Sequence, residues 1–315
     1  MNLRYLTILS ISLFTLAACE NGLLDPNPDN ILTVDDVLKD PEYAEGLLLN
    51  AYTDMPASYD FSLDCASDDA VTNVSNSYIK TVVNGGWTAE MNQLSVWESS
   101  YQSIGYLNNF LSIVDEVTWD WKNDVRDSLY RRKLKGEAYA LRAWNYFKLL
   151  QAHAGKNNNG ELLGVPIIKK VVDVSEPATF QIPRSNFNDL VQFITTECDS
   201  AINLLPTRWK NEGDVISDLS IGERNVNRIN GITVHLIKAK TLLYAASPAF
   251  SDGTYTYQMA AEAASELMKL NNGLDGLKRT DVEFYNSQDI VDAMDSHNEV
   301  FWYSSRNISS STLEE

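Results

Sequence analysis

Residues 126–151 read RDSLYRRKLKGEAYALRAWNYFKLLQ, and their spacing decides the fold class. Leu134, Ala138, Leu141, Trp144 and Phe147 (or Lys148) recur at intervals of three and four, which puts them on one face of an α-helix. Gly155 and the turn Asn157-Asn158-Asn159-Gly160 end the pattern. Upstream, Leu94, Trp97, Tyr101, Ile104, Leu107, Leu111 and Val114 carry the same period, with Thr88 placed to cap that helix. Downstream, Ser185 precedes a third amphipathic run, Phe187, Leu190, Val191, Ile194, Cys198, Ala201, Ile202 and Leu205, stopped by Pro206. Further helices are expected over Tyr43–Tyr52, Ile229–Ala246 and Tyr257–Leu270, and another begins at the N-cap Thr33. Extended structure is confined to Gly164–Ile168 and Glu299–Tyr303.

The expected fold is all-α, with irregular tetratricopeptide-like helical repeats, long loops and few short strands. The repeat is weak. Ala143, Phe147 and Leu150 correspond to Ala239, Leu243 and Ala246, the small–large–small pattern of a second repeat helix. The two copies stand much further apart than the ~34-residue tetratricopeptide period, so long insertions separate them. A generic amphipathic helical pair is the alternative. Two polar stretches interrupt the helices, Ser58–Gly86 and Thr207–Arg228, and loops of such length tend to be functional.

The N-terminus carries a different message. Arg4 is followed by an apolar run from Tyr5 to Leu16 and then by Leu16-Ala17-Ala18-Cys19, a secretory signal with a lipoprotein cleavage box. The run is short for a membrane span, which needs about 20 apolar residues, and Glu20, Asn21 and Gly22 break it off. Residues 1–18 are read as the signal peptide and Cys19 as the lipidated first residue of the mature chain. Residues 19–32, with Pro26 and Pro28, form an extended tether. The folded region is expected over 33–303 and a polar tail over 304–315.

Formal net charge is −18, with 43 acidic against 25 basic residues, which argues against nucleic acid or an anionic membrane surface as main partner. With Cys19 lipidated, Cys65 and Cys198 remain; Cys198 lies in an apolar stripe and reads as a small core residue rather than a disulfide partner. No metal is expected. His153, His235 and His297 lack partners at ligand spacing. A calcium loop starting at Asp64 would need Gly at Asp69 and Glu at Ser75. Phosphate loops and serine elbows are absent from the sequence, so neither an enzyme nor a cofactor is indicated.

Three stretches together resemble the SusD/RagB family of surface lipoproteins in Bacteroidetes. Cys19-Glu20-Asn21-Gly22-Leu23-Leu24-Asp25-Pro26 is similar to the family's mature start. Gly136–Phe147, GEAYALRAWNYF, resembles its most recognisable helix and is followed by Gly164-Val165-Pro166. Lys238–Pro248, KAKTLLYAASP, resembles a second family helix. The resemblance runs from Cys19 to about Tyr303. Members of the family usually continue further, so 304–315 is read as a point of truncation. It implies a non-enzymatic, lipid-anchored protein of the cell outer membrane, displayed at the surface. Such a protein captures an oligo- or polysaccharide and delivers it to a TonB-dependent, SusC-like transporter.

Sugar binding calls for aromatic faces and for amide, carboxylate and hydroxyl groups. The first polar stretch offers Asp68, Asp69, Asn73, Asn76, Tyr78 and Trp87, with Asn92 beyond it; the second offers Trp209, Lys210 and Arg224; Tyr285 lies in another irregular stretch. Ligand contacts are expected from Asp68, Asp69, Asn73, Tyr78, Trp87, Asn92 and Tyr285. The Asp and Asn residues also suit simple loop solvation, and Trp87 also suits a core anchor at a helix start. Trp97, Tyr101 and Trp144 sit in helical stripes and read as core. The competing function is a repeat-type envelope assembly lipoprotein that binds no sugar.

Overall fold

The computed structural model describes residues 38, 40–53, 61–88, 90–172, 175–176, 181–276 and 301–302. The signal and tether with Cys19, the helix start at Thr33, Tyr285 and the tail lie outside these. Among the described residues the chain forms eight α-helices: α1 Pro41–Thr53, α2 Ile79–Val83, α3 Trp97–Ile113, α4 Asp124–His153, α5 Phe187–Leu204, α6 Val215–Ile221, α7 Gly231–Ala246 and α8 Tyr257–Leu270. The described strands are β1 Gly155–Lys156 and β2 Leu162–Leu163, antiparallel, pairing Gly155 with Leu163 and Lys156 with Leu162.

The 30-residue α4 is the axis, and α3, α5 and α1 pack around it. It starts where Asn123 caps it, the side-chain oxygen accepting from Arg126 N at 2.9 Å, with Asp124 and Asp127 favourably placed in the first turn. Leu134, Ala138, Leu141, Phe147 and Leu150 are buried, as their spacing demands. Trp144 is half-buried against the same core. Gly136 lies tight against the end of α5: a Cβ there would lie 2.8 Å from Leu205 Cγ and 2.9 Å from Leu204 Cβ. Arg132 Nε reinforces the junction by donating to Leu204 O at 2.9 Å. The core continues through Phe187, Leu190, Val191, Ile194 and Cys198 of α5 to Val234 and Ile237 of α7. Cys198 is a buried free thiol and Cys65 a half-buried one.

Several boundaries differ from the sequence expectation. The helix expected from Thr88 begins at Trp97. Thr88 Oγ1 accepts instead from Met91 N at 3.1 Å, closing a turn. Asn186, not Ser185, caps α5, because its side chain reaches Asn188 N at 2.9 Å while the Ser185 hydroxyl donates to Val165 O. The strand pair forms at Leu162–Leu163, just before Gly164. The loop expected over Thr207–Arg228 holds α6, capped by Asp214, whose carboxylate accepts from Ser217 N. Of the strand expected at Glu299–Tyr303, only Phe301 and Trp302 are described, and they are in neither strand nor bridge. Trp302 instead packs edge-on to Tyr52 and donates to Asn227 O at 2.9 Å. In the weak repeat Ala143, Phe147 and Leu150 are buried, but Leu243 at the position matching Phe147 is exposed.

Two buried polar clusters tie the helices together. Arg142 on α4 makes a two-pronged ion pair with Glu197 on α5, at 2.6 and 2.9 Å, and donates to Asn108 Oδ1 on α3 at 2.7 Å. Burial pushes the Glu197 carboxyl upward, against the pull of Arg142. In the second cluster, fully buried Glu137 accepts from Arg228 Nη1 at 3.0 Å and from Tyr52 O–H at 2.7 Å, while Arg228 also reaches Glu45. Lys133 beside it donates to Asn225 Oδ1 at 3.1 Å.

Removing one member of a buried ion pair strands the other charge, which costs about 3–5 kcal/mol. Arg142→Met is therefore expected to lower the urea-unfolding free energy by about that amount, and Arg142→Met with Glu197→Leu by clearly less. Equal losses in the single and double variants would contradict this. A second expectation concerns pH. Burial pushes Lys133 down to about 8. The unfolded chain then holds the proton more tightly, so stability should rise with pH from about 8 to the unfolded lysine value of about 10.4. Lys133→Met should flatten that rise in thermal melts; an unchanged slope would contradict it.

Candidate functional site

The first polar stretch runs as an exposed arm into α2. Phe61–Ala66 forms a 3-10 turn, after which the Ser67 hydroxyl donates to Asp64 O at 2.8 Å and accepts from Asp69 N. Asp68, Asp69 and Asn73 are all exposed. Tyr78 precedes α2 and is 38% exposed. The chain then reverses at Asn84 and Gly85, which has φ +76°. Gly86 presses on α2 so closely that a Cβ would meet Thr81 Cγ2 at 2.7 Å. This tight turn delivers Trp87 with 45% of its surface exposed, so it is not a core anchor.

Residues 90–101 are strapped to the end of α4. Asn92 Nδ2 donates to Ala152 O at 2.9 Å, and its Oδ1 accepts from Leu94 N at 3.0 Å. The next residue of α4, His153, accepts at Nε2 from Val96 N at 3.3 Å and lies 3.3 Å from Ser95 Oγ. Accepting there requires a neutral ring, and burial together with the charge of Arg184 pushes the imidazole below its usual range.

Trp97 follows directly. It was expected in the core, yet it is 38% exposed at the first turn of α3, beside the last residue of α4. Tyr101 lies against its ring at 4.9 Å and 55°, and His153 meets it edge-on at 5.2 Å and 82°. Tyr101 is held in turn by its hydroxyl donating to Pro166 O at 2.7 Å. Arg184 clamps the same junction, donating from Nε to Gly164 O at 2.7 Å and from Nη2 to His153 O. An exposed indole is thus fixed from two sides, with the exposed polar side chains of Ser95, Glu98 and Arg184 on or beside the segments that hold it.

The expected residues therefore separate. Tyr78 and Trp87 flank α2; Asn92 belongs to the Trp97 junction; Asp68, Asp69 and Asn73 lie on the preceding arm. Trp209 is removed from the site, being buried with Nε1 donating to Arg228 O at 2.8 Å, while Lys210 and Arg224 are exposed. Tyr285 lies outside the described residues. Trp97, His153 and Arg184 were missed. Only Trp97 carried a signal, as the aromatic residue at the start of a helical stripe. Among the described residues no group of His, Cys, Asp and Glu could hold a metal ion. No described helix is long and apolar enough to cross a membrane.

His153 should titrate below 6.5, its ring peaks in two-dimensional NMR moving together with the Trp97 indole. Because the folded value lies below the unfolded one, stability is present above about 6.5 and falls as the pH drops through the folded value. A midpoint at or above 6.5 would contradict the acceptor role.

Solved structures share this architecture. A SusD-like protein from Bacteroides fragilis matches with TM-score 0.56 and 20% identity, over 78% of this chain and 41% of its own. A SusD-like carbohydrate binding protein from Bacteroides vulgatus matches with TM-score 0.56 and 17% identity, over 84% and 50%. A laminarin binding SusD-like protein matches with TM-score 0.52 and 21% identity, over 73% and 43%. At such identities the likeness is one of fold, and the chain spans half or less of each of these structures. Among curated proteins none matches. The SusD-like family described as "Starch-binding associating with outer membrane" matches residues 24–217, more than half of the sequence, and the chain belongs to that family.

Proposed function

We propose that this protein is a cell-surface lipoprotein of the outer membrane that captures a glycan and passes it to a TonB-dependent, SusC-like transporter. The observation that carries the reading is the exposure of three aromatic side chains on one sequence segment, Tyr78, Trp87 and Trp97, the last of them fixed by Tyr101 and His153. Flat aromatic faces suit the apolar faces of pyranose rings, and the neighbouring Asp, Asn, Ser and Arg groups suit the hydroxyls. Rigidity matters because a ring already fixed by Tyr101 and His153 loses little freedom on binding. The family description adds starch as a ligand class and the outer membrane as location, and one structural relative is named for laminarin. The lipid anchor rests on Leu16-Ala17-Ala18-Cys19.

Native affinity electrophoresis against soluble starch, laminarin and pectin tests this. The protein is expected to be retarded by at least one of them. Trp87→Ala and Trp97→Ala should each weaken that retardation, the apparent affinity falling roughly tenfold, or about 1.4 kcal/mol. Retardation unchanged in both variants would remove the aromatic display from the site. Mobility unaffected by every glycan would favour an assembly lipoprotein that binds no sugar.

A further inference from the structure

Helix α3 starts without a capping side chain of its own. Val96 stands at its N-cap position and has no polar group to offer. The acceptor comes from another element instead: His153, the last residue of α4, takes the Val96 N–H at Nε2, 3.3 Å away. The Ser95 hydroxyl lies 3.3 Å from the same nitrogen and accepts from Trp97 N at 3.4 Å. The Trp97 indole meets the imidazole at 5.2 Å. Three consecutive residues, Ser95, Val96 and Trp97, are thus gathered around one titratable ring.

An imidazole accepts at Nε2 only while that nitrogen carries no proton. Protonation turns it into a donor. The Ser95 hydroxyl can rotate to accept from it, but the Val96 N–H is backbone and cannot, so two N–H groups would face each other. The new charge would also stand at the N-terminus of α3, where the helix dipole disfavours a cation. Arg184, which donates to His153 O, adds a second cation at the same junction. It is the charged group that acts on the ring. Glu98 of α3 and Lys156 of β1 are exposed to solvent, and α4 has no charged residue within one turn of His153. Tyr101 and Tyr244 are raised by burial and stay neutral. The C-terminal dipole of α4 favours the imidazolium, yet burial and Arg184 outweigh it, the ring lying below its usual range.

We propose that His153 is an acid-sensitive latch on the aromatic site: its neutral ring holds Trp97 in place for a sugar, and its protonation loosens residues 95–97 and weakens glycan capture. The proposal rests on the glycan reading and adds its regulation. Histidine is the side chain whose charge ordinarily changes between about pH 5 and 8. Starch and laminarin carry no ionisable group, so a change of affinity in that range belongs to the protein.

Two measurements on the mature chain test it, each run from about pH 7.5 to below the His153 midpoint while circular dichroism shows the fold intact. In two-dimensional NMR without ligand, the Val96 amide and Trp97 indole should move with the His153 ring at one shared midpoint. In His153→Gln, whose amide oxygen accepts at either pH, they should stay in place. In affinity electrophoresis with soluble starch and laminarin, the parent's affinity for the retarding glycan should fall at least about fivefold over the same range. That ratio should shrink towards one in His153→Gln and persist in His235→Gln. By reciprocity, saturating glycan should move the His153 midpoint to lower pH. If His153→Gln fails to fold, the parent titration and this glycan-induced shift decide. The proposal is overturned by a Val96 amide and Trp97 indole that ignore the His153 titration. It is overturned equally by an affinity that is flat or rises in acid, or by a fall that survives in His153→Gln. Sugar binding with a flat ligand-free titration removes the latch alone, whereas absence of glycan binding at every pH removes the capture reading and the latch with it.

Discussion

Arg142 lies buried where α3, α4 and α5 meet, and its charge dictates what surrounds it. A guanidinium withdrawn from water must be paired and hydrogen-bonded, or the fold bears several kcal/mol of desolvation. Glu197 supplies the pair and Asn108 the neutral acceptor. Asn108 then passes the constraint outward, its amide donating to Ile168 O at 3.0 Å and Lys170 O at 3.2 Å. The segment after β2 is thereby fastened to α3. Tyr146 adds a second fastening, its hydroxyl accepting from Ile168 N at 2.7 Å. With this segment fixed, Pro166 O is in reach of Tyr101, and Tyr101 is the ring against which Trp97 rests. A buried charge in the core and an exposed indole at the surface are thus joined through a short run of hydrogen bonds and ring contacts.

Glu137, one and a half turns before Arg142 on α4, does the same on another side. It gathers Tyr52 of α1 and Arg228 ahead of α7, and Arg228 extends to Glu45. Opposite charges drawn together raise the Arg228 guanidinium above its usual range, despite burial acting the other way. Ile229 N donates to the Tyr52 hydroxyl at 3.3 Å, so the entry of α7 is registered on the same cluster. These contacts hold together elements far apart in sequence, which apolar packing alone positions less specifically.

The helices were legible because apolar period and burial coincide over α4, α5 and most of α3. The polar side chains that specify the packing were not. Glu137 and Arg142 look like ordinary surface charges of a helix, and only the partners on α5, α1 and the 225–230 segment bury them. Short α6 escaped notice because seven residues carry too little periodicity, although the Asp214 cap was in plain sight. Trp97 and Trp209 exchanged roles for one reason. Exposure depends on which neighbouring segment covers a ring, and the stripe containing Trp97 and the loop containing Trp209 do not encode that cover. The family resemblance, carried by Gly136–Phe147, Lys238–Pro248 and the mature start, reached further than composition or spacing.

The surface that results exposes Tyr78 and Trp87 on either side of α2, and Trp97 where residues 92–101 meet the end of α4. Indole N–H resonances separate the two kinds of tryptophan directly, since Trp87 and Trp97 are exposed whereas Trp209 and Trp302 have their indoles bonded to backbone carbonyls. The decisive measurement is a two-dimensional NMR titration of the mature, uniformly labelled protein with starch- and laminarin-derived oligosaccharides. Glycan capture predicts saturable shifts at Trp87 and Trp97 with Trp209 and Trp302 unmoved. Saturable binding that leaves Trp87 and Trp97 in place, or shifts confined to Trp209 and Trp302, would contradict it.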